Sequence, residues 1–194
     1  MRHEFVAISF ETAILNDLTH YLKSKDIKLK YIDPDEFLNT EYFNSEYSFI
    51  NLITKDFDLR SRISNHITKL GFNRFSFVHE SACVDGSQVG DGCFIYPNVT
   101  IYPSATVGQD VIIQANTRIS HNATIEFGTF IGGVANISGS SNIGKFSKVY
   151  PSCNIADKIR IADHSVIGTG TTVRKNINES GTYSKLSDKI KKVN

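Results

Sequence analysis

The chain has no run of about 18 uninterrupted apolar residues, which excludes a membrane-spanning helix on hydropathy. It also lacks a charge excess: 21 Lys and Arg stand against 20 Asp and Glu, a net charge of +1. That balance excludes the broad basic surface a nucleic-acid partner requires. Cysteine is scarce; Cys83, Cys93 and Cys153 are odd in number and without framework spacing. Such usage points to reduced thiols and a cytoplasmic setting. The opening stretch MRHEFVAISFETAILND makes a poor secretory signal. Glu4, Glu11 and Asp17 interrupt its apolar residues, and no small-residue cleavage site follows. What remains is an ordinary globular composition, 40% hydrophobic and 21% charged over 194 residues, enough for one substantial core or two small ones.

One pattern dominates. Starting at Cys83 and stepping by six, every residue to Val173 is apolar, and all after the first are Ile or Val. Four residues after each step runs a second register, from Ser87 to Thr171, mostly small. A helix of 3.6 residues per turn cannot keep a period of six on one face. Short Val/Ile strands joined by turns of Gly, Asn, Asp and Ser can. The pattern predicts a parallel β-helix in which each hexad forms one side of a triangular prism and three complete a coil of about 18 residues. Cys93 and Cys153 fall in the small register as packing residues, and Pro97, Pro103 and Pro151 share one corner position.

Residues 1–80 lack the repeat. EFVAISF, IKLKYI and YSFINLI read as strands, TAILNDLTHYLKSK and DFDLRSRISNHITKL as amphipathic helices, with Thr12 as an N-cap and Gly71 as a stop. Alternating strands and helices predict a small parallel α/β domain. The prism follows over 81–176. In the tail, 177–194, SKLSDKIKKV places Leu186, Ile190 and Val193 on one face of a short helix expected to cap the prism. Tyr96, Tyr102, Phe127 and Phe130 are expected on the outer faces, where they would mark an interface.

With both halves in place, the chain resembles the bacterial left-handed β-helix sugar acyltransferases. Among them it resembles the N-acetyltransferases of nucleotide-linked 4-amino sugars and the related sialic-acid O-acetyltransferases. FINLITKDFDLRSRI and FVHESACV match the domain junction, VIIQANTRISHN the catalytic coil, and GSSNIGKFSKVYPSCNIADKIRIADHSVIGTGTTVRKNI the cofactor-binding coils. The resemblance implies a left-handed coil, a homotrimer with sites between neighbouring prisms, and acetyl-coenzyme A as donor, working in surface-polysaccharide biosynthesis. His121 falls on the general base, with Asn122 beside it. Imidazole suits that role because it exchanges a proton near neutral pH. Gly139, Pro151, Gly168 and Thr169 fall on the coenzyme-binding positions. Gln114 and Asn116, with the acidic pair Asp33 and Asp35, fall on acceptor-binding positions.

The departures are specific. Asn122 replaces the family's carboxylate, leaving Glu126 as the nearest in sequence; Phe130 replaces a histidine. The first βα turn, AISFETAILND, has no glycine and puts Glu11 where a nucleotide phosphate would be repelled. Near the end, GTYSKLSDKI keeps Gly181 and Lys189 without the family's proline turn. The reading is therefore an acetyl-coenzyme A-dependent N-acetyltransferase of an amino sugar, free or nucleotide-linked. A sugar or sialic-acid O-acetyltransferase and a non-catalytic β-helix paralogue are the alternatives. No metal is expected, since the repeat supplies only His121 and His164 where zinc needs three protein ligands. His3, His20, His66 and His79 read as structural or exposed, and His164 as a solvated turn residue.

Overall fold

The computed structural model describes residues 4–23, 25, 27–39, 43, 46–185 and 190–193, in two compact units divided after Ser76. The first unit is built on β1 (Glu4–Ile8), β2 (Leu29–Ile32), β3 (Tyr47–Asn51) and β4 (Asn73–Arg74). All pair in parallel, in the order β2-β1-β3-β4. Three helices connect them: α1 (Thr12–Lys23), α2 (Pro34–Asn39) and α3 (Phe57–Lys69). α1 buries Ile14, Leu18 and Leu22, which recur every fourth residue and so share one face. α3 begins at Asp56, whose carboxylate accepts the Leu59 N–H at 2.9 Å, and is followed by Gly71 at φ +66°. The core joins Val6, Ile8, Ile32, Phe37, Phe49, Ile63 and Ile67. Each such side chain contributes roughly 1.5–3 kcal/mol through burial.

Two helix starts differ from expectation. Thr12 lies inside α1 rather than capping it, because the Leu15 N–H reaches the Glu11 carbonyl (3.3 Å) and makes Glu11 the cap position. α2 was not anticipated. Pro34 opens it without forfeiting a bond, and the Asp33 carboxylate accepts the Asp35 N–H at 2.9 Å.

The second unit is a left-handed parallel β-helix. Each hexad supplies a short strand that pairs with the strand one coil later, Ile113 beside Ile131 and Ile119 beside Ile137. The aliphatic register is buried from Ile95 to Val173. Part of the small register has a chemical reason. Thr117, Thr129, Ser141 and Ser147 each donate a hydroxyl to a main-chain carbonyl 15 residues on, at 2.8–3.0 Å. A small donor thus satisfies a corner carbonyl that the prism would otherwise leave buried. Cys93 and Cys153 do the same with their thiols, and burial pushes the Cys153 thiol pKa up. The third residue after each inward aliphatic turns the corner in the left-handed region, from Gly86 to Gly170. Asn suits that conformation; Val134, at φ +59° and 63% exposed, does not.

The prism opens earlier than residue 81, because Phe77–Val78 already pairs with Phe94–Ile95. Among its described residues the tail is extended rather than helical. Gly181–Lys185 lies parallel to Ser165–Ile167, and Ile190–Val193 returns antiparallel to it. The last coil presents an open row of N–H and C=O groups, and an extended segment satisfies them. A ten-residue helix with three apolar side chains is too short to persist alone. Leu186 and Lys189 lie outside the described residues. The aromatic expectation also needs correction: Tyr96 and Phe130 are buried and Phe127 is half-buried, leaving Tyr102 exposed. Tyr96 stacks on Phe94 with ring centroids 4.3 Å apart. No helix among the described residues is long and apolar enough to cross a membrane.

Candidate active site

A corner every six residues stacks side chains from successive coils into edges. The expected site residues divide between two of them. Gln114, Asn116, Pro151, Gly168 and Thr169 lie along one edge, and His121, Asn122 and Gly139 along the next, as the pairing registers require. Within one chain the two sets are not brought together.

The second edge holds the reactive groups. His121 and Asn122 are both exposed, and Asn122 turns the corner at φ +57°. The Asn122 Nδ2 stands 3.2 Å from His121 Nδ1. The opposite side of the ring faces Gly139, one coil on. A Cβ at Gly139 would lie 2.8 Å from both Cε1 and Nε2 of His121, and 3.1 Å from the Asp157 Oδ1. Gly139 has an ordinary φ, so close approach, not backbone conformation, requires the glycine here. Its carbonyl accepts the Lys158 N–H (2.9 Å). Neither the Gly139 N–H nor His121 Nε2 has a hydrogen-bond partner among the described residues. Glu126 turns elsewhere: its Oε1 accepts from Asn142 Nδ2 at 3.1 Å. The carboxylate that does reach the His121 edge is Asp157, which sequence inspection missed. It lies two coils from the histidine, so only a search at multiples of the coil length would have found it.

On the first edge, the Gln114 Oε1 accepts the Gly133 N–H (3.2 Å), and the Asn116 Oδ1 accepts from Asn98 Nδ2 (3.3 Å). Pro151 and Thr169 stand next to each other in the stack, Thr169 exposed. Gly168 donates its N–H to the Tyr183 carbonyl (2.8 Å), and a Cβ there would meet Ser184 at 2.8 Å. That glycine makes room for the C-terminal strand.

In the α/β unit, Asp33 uses one carboxylate oxygen to cap α2, while Asp35 sits exposed in the first turn. The order β2-β1-β3-β4 puts a topological switch point at the C-terminal ends of β1 and β3, where open α/β sheets receive ligands. Here the chain fills that crevice itself. Glu11, 8% exposed, accepts the N–H groups of Thr54 and Lys55 at 2.5 and 2.9 Å on one oxygen, and the Thr54 hydroxyl at 2.5 Å on the other. Arg60, also missed, is fully buried and donates to the carbonyls of Asn51 (2.9 Å) and Ile53 (2.8 Å). The turn after β3 is therefore held from both its carbonyl and its N–H groups. Among the described residues, no group of three His, Cys, Asp or Glu side chains could hold a metal ion.

Residues 86–121 match the family model for the bacterial transferase hexapeptide, six repeats. No curated protein matches the chain by sequence. Among solved structures, it is similar to the acetyltransferase domain of PglB from Neisseria gonorrhoeae, in complex with acetyl coenzyme A. The two are 16% identical, with a TM-score of 0.83 over 100% of each chain. A histidine mutant of perosamine N-acetyltransferase from Caulobacter crescentus, in complex with CoA and GDP-perosamine, gives 16% identity and a TM-score of 0.82. That match covers 97% of this chain and 96% of the other. WeeI from Acinetobacter baumannii follows at 10% identity and a TM-score of 0.69, covering 98% and 99%. At these identities the likeness establishes the fold: an α/β unit followed by a hexapeptide β-helix.

Proposed function

We propose that this chain is an acyltransferase that moves an acetyl group from acetyl-coenzyme A to the amino group of an amino sugar, with His121 as general base. The carrying observation is the His121 edge. His121 is exposed, its ring packs against Gly139, and neither its Nε2 nor the Gly139 N–H has a partner among the described residues. Acyl transfer from a thioester requires those two groups, a base for the nucleophile and a donor for the oxyanion. The named activities of the similar structures, and the coenzyme A and GDP-perosamine bound in one of them, support the same reading.

In the base-competent tautomer, Nδ1 carries the proton. A half-turn of the Asn122 amide brings Oδ1 to accept it, so a neutral amide orients the ring in either tautomer. Nε2 then takes a proton from the amine as its nitrogen bonds to the thioester carbonyl carbon. The Gly139 N–H donates to the oxygen that becomes negative. The C–S bond breaks, the amide remains on the acceptor, and the imidazolium returns its proton to the coenzyme A sulfur.

The division of candidate residues between two prism edges supports a homotrimer, since a site containing both sets must form between copies. The pantetheine arm would run along Pro151, Thr169 and Gly139, with Gln114 and Asn116 toward the acceptor. Asp35 and the free oxygen of Asp33 are the groups we assign to acceptor recognition in the α/β unit. Glu11 narrows the acceptor further: with its carboxylate on the Thr54 and Lys55 N–H groups, that turn does not receive a phosphate. The free thiols suit a cytoplasmic enzyme of surface-glycan synthesis.

Calorimetry with acetyl-coenzyme A, followed by transfer assays over a panel of free and nucleotide-linked amino sugars, tests this. Acetyl-coenzyme A should bind the wild type and His121→Ala equally, and the substitution should lower turnover by roughly 10²–10⁴. No donor binding, or full activity in His121→Ala, overturns the reading.

A further inference from the structure

We propose that Val134 sets the length of the acyl chain: across the cleft between two copies, its side chain closes the space beyond an acetyl methyl and excludes longer thioesters. This role depends on the acyltransferase and homotrimer readings and specifies the donor they require.

Val134 turns its corner in the left-handed region, at φ +59°, and is 63% exposed. Among the described residues it is the one β-branched side chain at a positive φ. In the same stack, Asn116 stands one coil below, Ser152 one coil above and Gly170 two above. A branched Cβ crowds the backbone in that conformation, which Asn tolerates and Gly adopts freely. The bond that fixes the corner is indifferent to the side chain. The Val134 N–H donates to the Ala115 carbonyl at 3.0 Å, as Asn116 does to Pro97 (3.1 Å) and Ser152 to Gly133 (2.9 Å). Neither the turn nor burial calls for valine here. A strained, apolar, exposed side chain points to a contact outside its own chain.

Its place in the stack identifies that contact. One coil below lie Gln114 and Asn116, assigned above to the acceptor, and one coil above lies Pro151, assigned to the pantetheine arm. Val134 thus stands at the level where the acyl group passes from donor to acceptor. It also shares its coil with Gly139, whose N–H receives the carbonyl oxygen in the mechanism above. Rotation about a threefold axis parallel to the prisms keeps every coil at its own height. Val134 of one copy is then level with Gly139 of the next. Gly133 carries no side chain, where the coils below and above carry Ala115 and Pro151 at the same position. On this coil the isopropyl group is what the edge presents to the acyl chain.

Calorimetry with acetyl-coenzyme A and n-butyryl-coenzyme A on the full chain tests this without an acceptor sugar. The wild type should bind the butyryl thioester about tenfold more weakly than the acetyl one, the usual cost of surplus methylenes in a closed pocket. Val134→Gly removes the isopropyl group and should bring the two affinities together. Val134→Asn, suited to the left-handed corner, should raise the melting temperature. The proposal is overturned if the wild type binds both thioesters alike, if Val134→Gly discriminates as the wild type does, or if Val134→Asn melts below it. Acetyl-coenzyme A bound without discrimination strikes the acyl-length role alone, whereas no binding of acetyl-coenzyme A strikes the acyltransferase reading and this role with it.

Discussion

The crevice of the α/β unit and the His121 edge of the prism are opposites. At the first, a place suited to an anion is already filled: the Glu11 carboxylate meets three donors from Thr54 and Lys55. At the second, the His121 ring packs so closely on Gly139 that no side chain fits, while the ring Nε2 and the Gly139 N–H have no partner among the described residues. Both contain titratable groups. The difference teaches that satisfaction, not residue type, separates them. A polar group whose bonds close within its own domain holds structure together. Polar groups left without partners at an exposed edge are available to a ligand.

Displacing the His121 ring should have the largest effect. Gly139→Ala puts a methyl 2.8 Å from the His121 ring, which must shift, while its ordinary φ lets the prism fold. Turnover should fall by roughly 10²-fold, as for other ångström-scale displacements of reacting groups, with an unchanged melting curve. An alanine variant as active as the wild type would break the contrast at its stronger end.

Emptying the filled place should have an intermediate effect. Glu11→Ala leaves the Thr54 and Lys55 N–H groups without their carboxylate, which costs about 1–3 kcal/mol of stability. Thermal melts with and without GDP sharpen the comparison. The variant should be destabilised and partly rescued by the diphosphate, whereas the wild type should show no response. Equal stabilisation of both would mean that the crevice is open after all.

The smallest effect is a pH dependence. Burial raises the Cys153 thiol above its ordinary value of 9.0, so the folded state resists its ionisation more than the unfolded state does. The stability this represents is fully present below that value and is lost as pH rises from it toward the folded pKa. Cys153→Ala should flatten the alkaline limb of stability against pH. An unchanged limb would show that some other group sets it.

The sequence by itself determined the prism. A period of six in Ile and Val cannot be placed on a helix, and it fixes which residues point inward, where each corner falls and which positions stack. His121 was legible because it breaks a run of small corner residues, and α1, α3 and the three longer strands because their apolar spacing is local. Other features were decided only in three dimensions. The tail became strands because a sheet edge, invisible in its ten residues, offered hydrogen bonds. Tyr96 and Phe130 were buried by neighbours that no period encodes. Glu11 found its partners more than 40 residues away, and Asp157 reached the histidine edge across two coils. The physical reason is one of range. Periodicity reports what each residue does relative to its own strand or helix, whereas satisfaction of a polar group depends on which distant donors the folded chain carries to it.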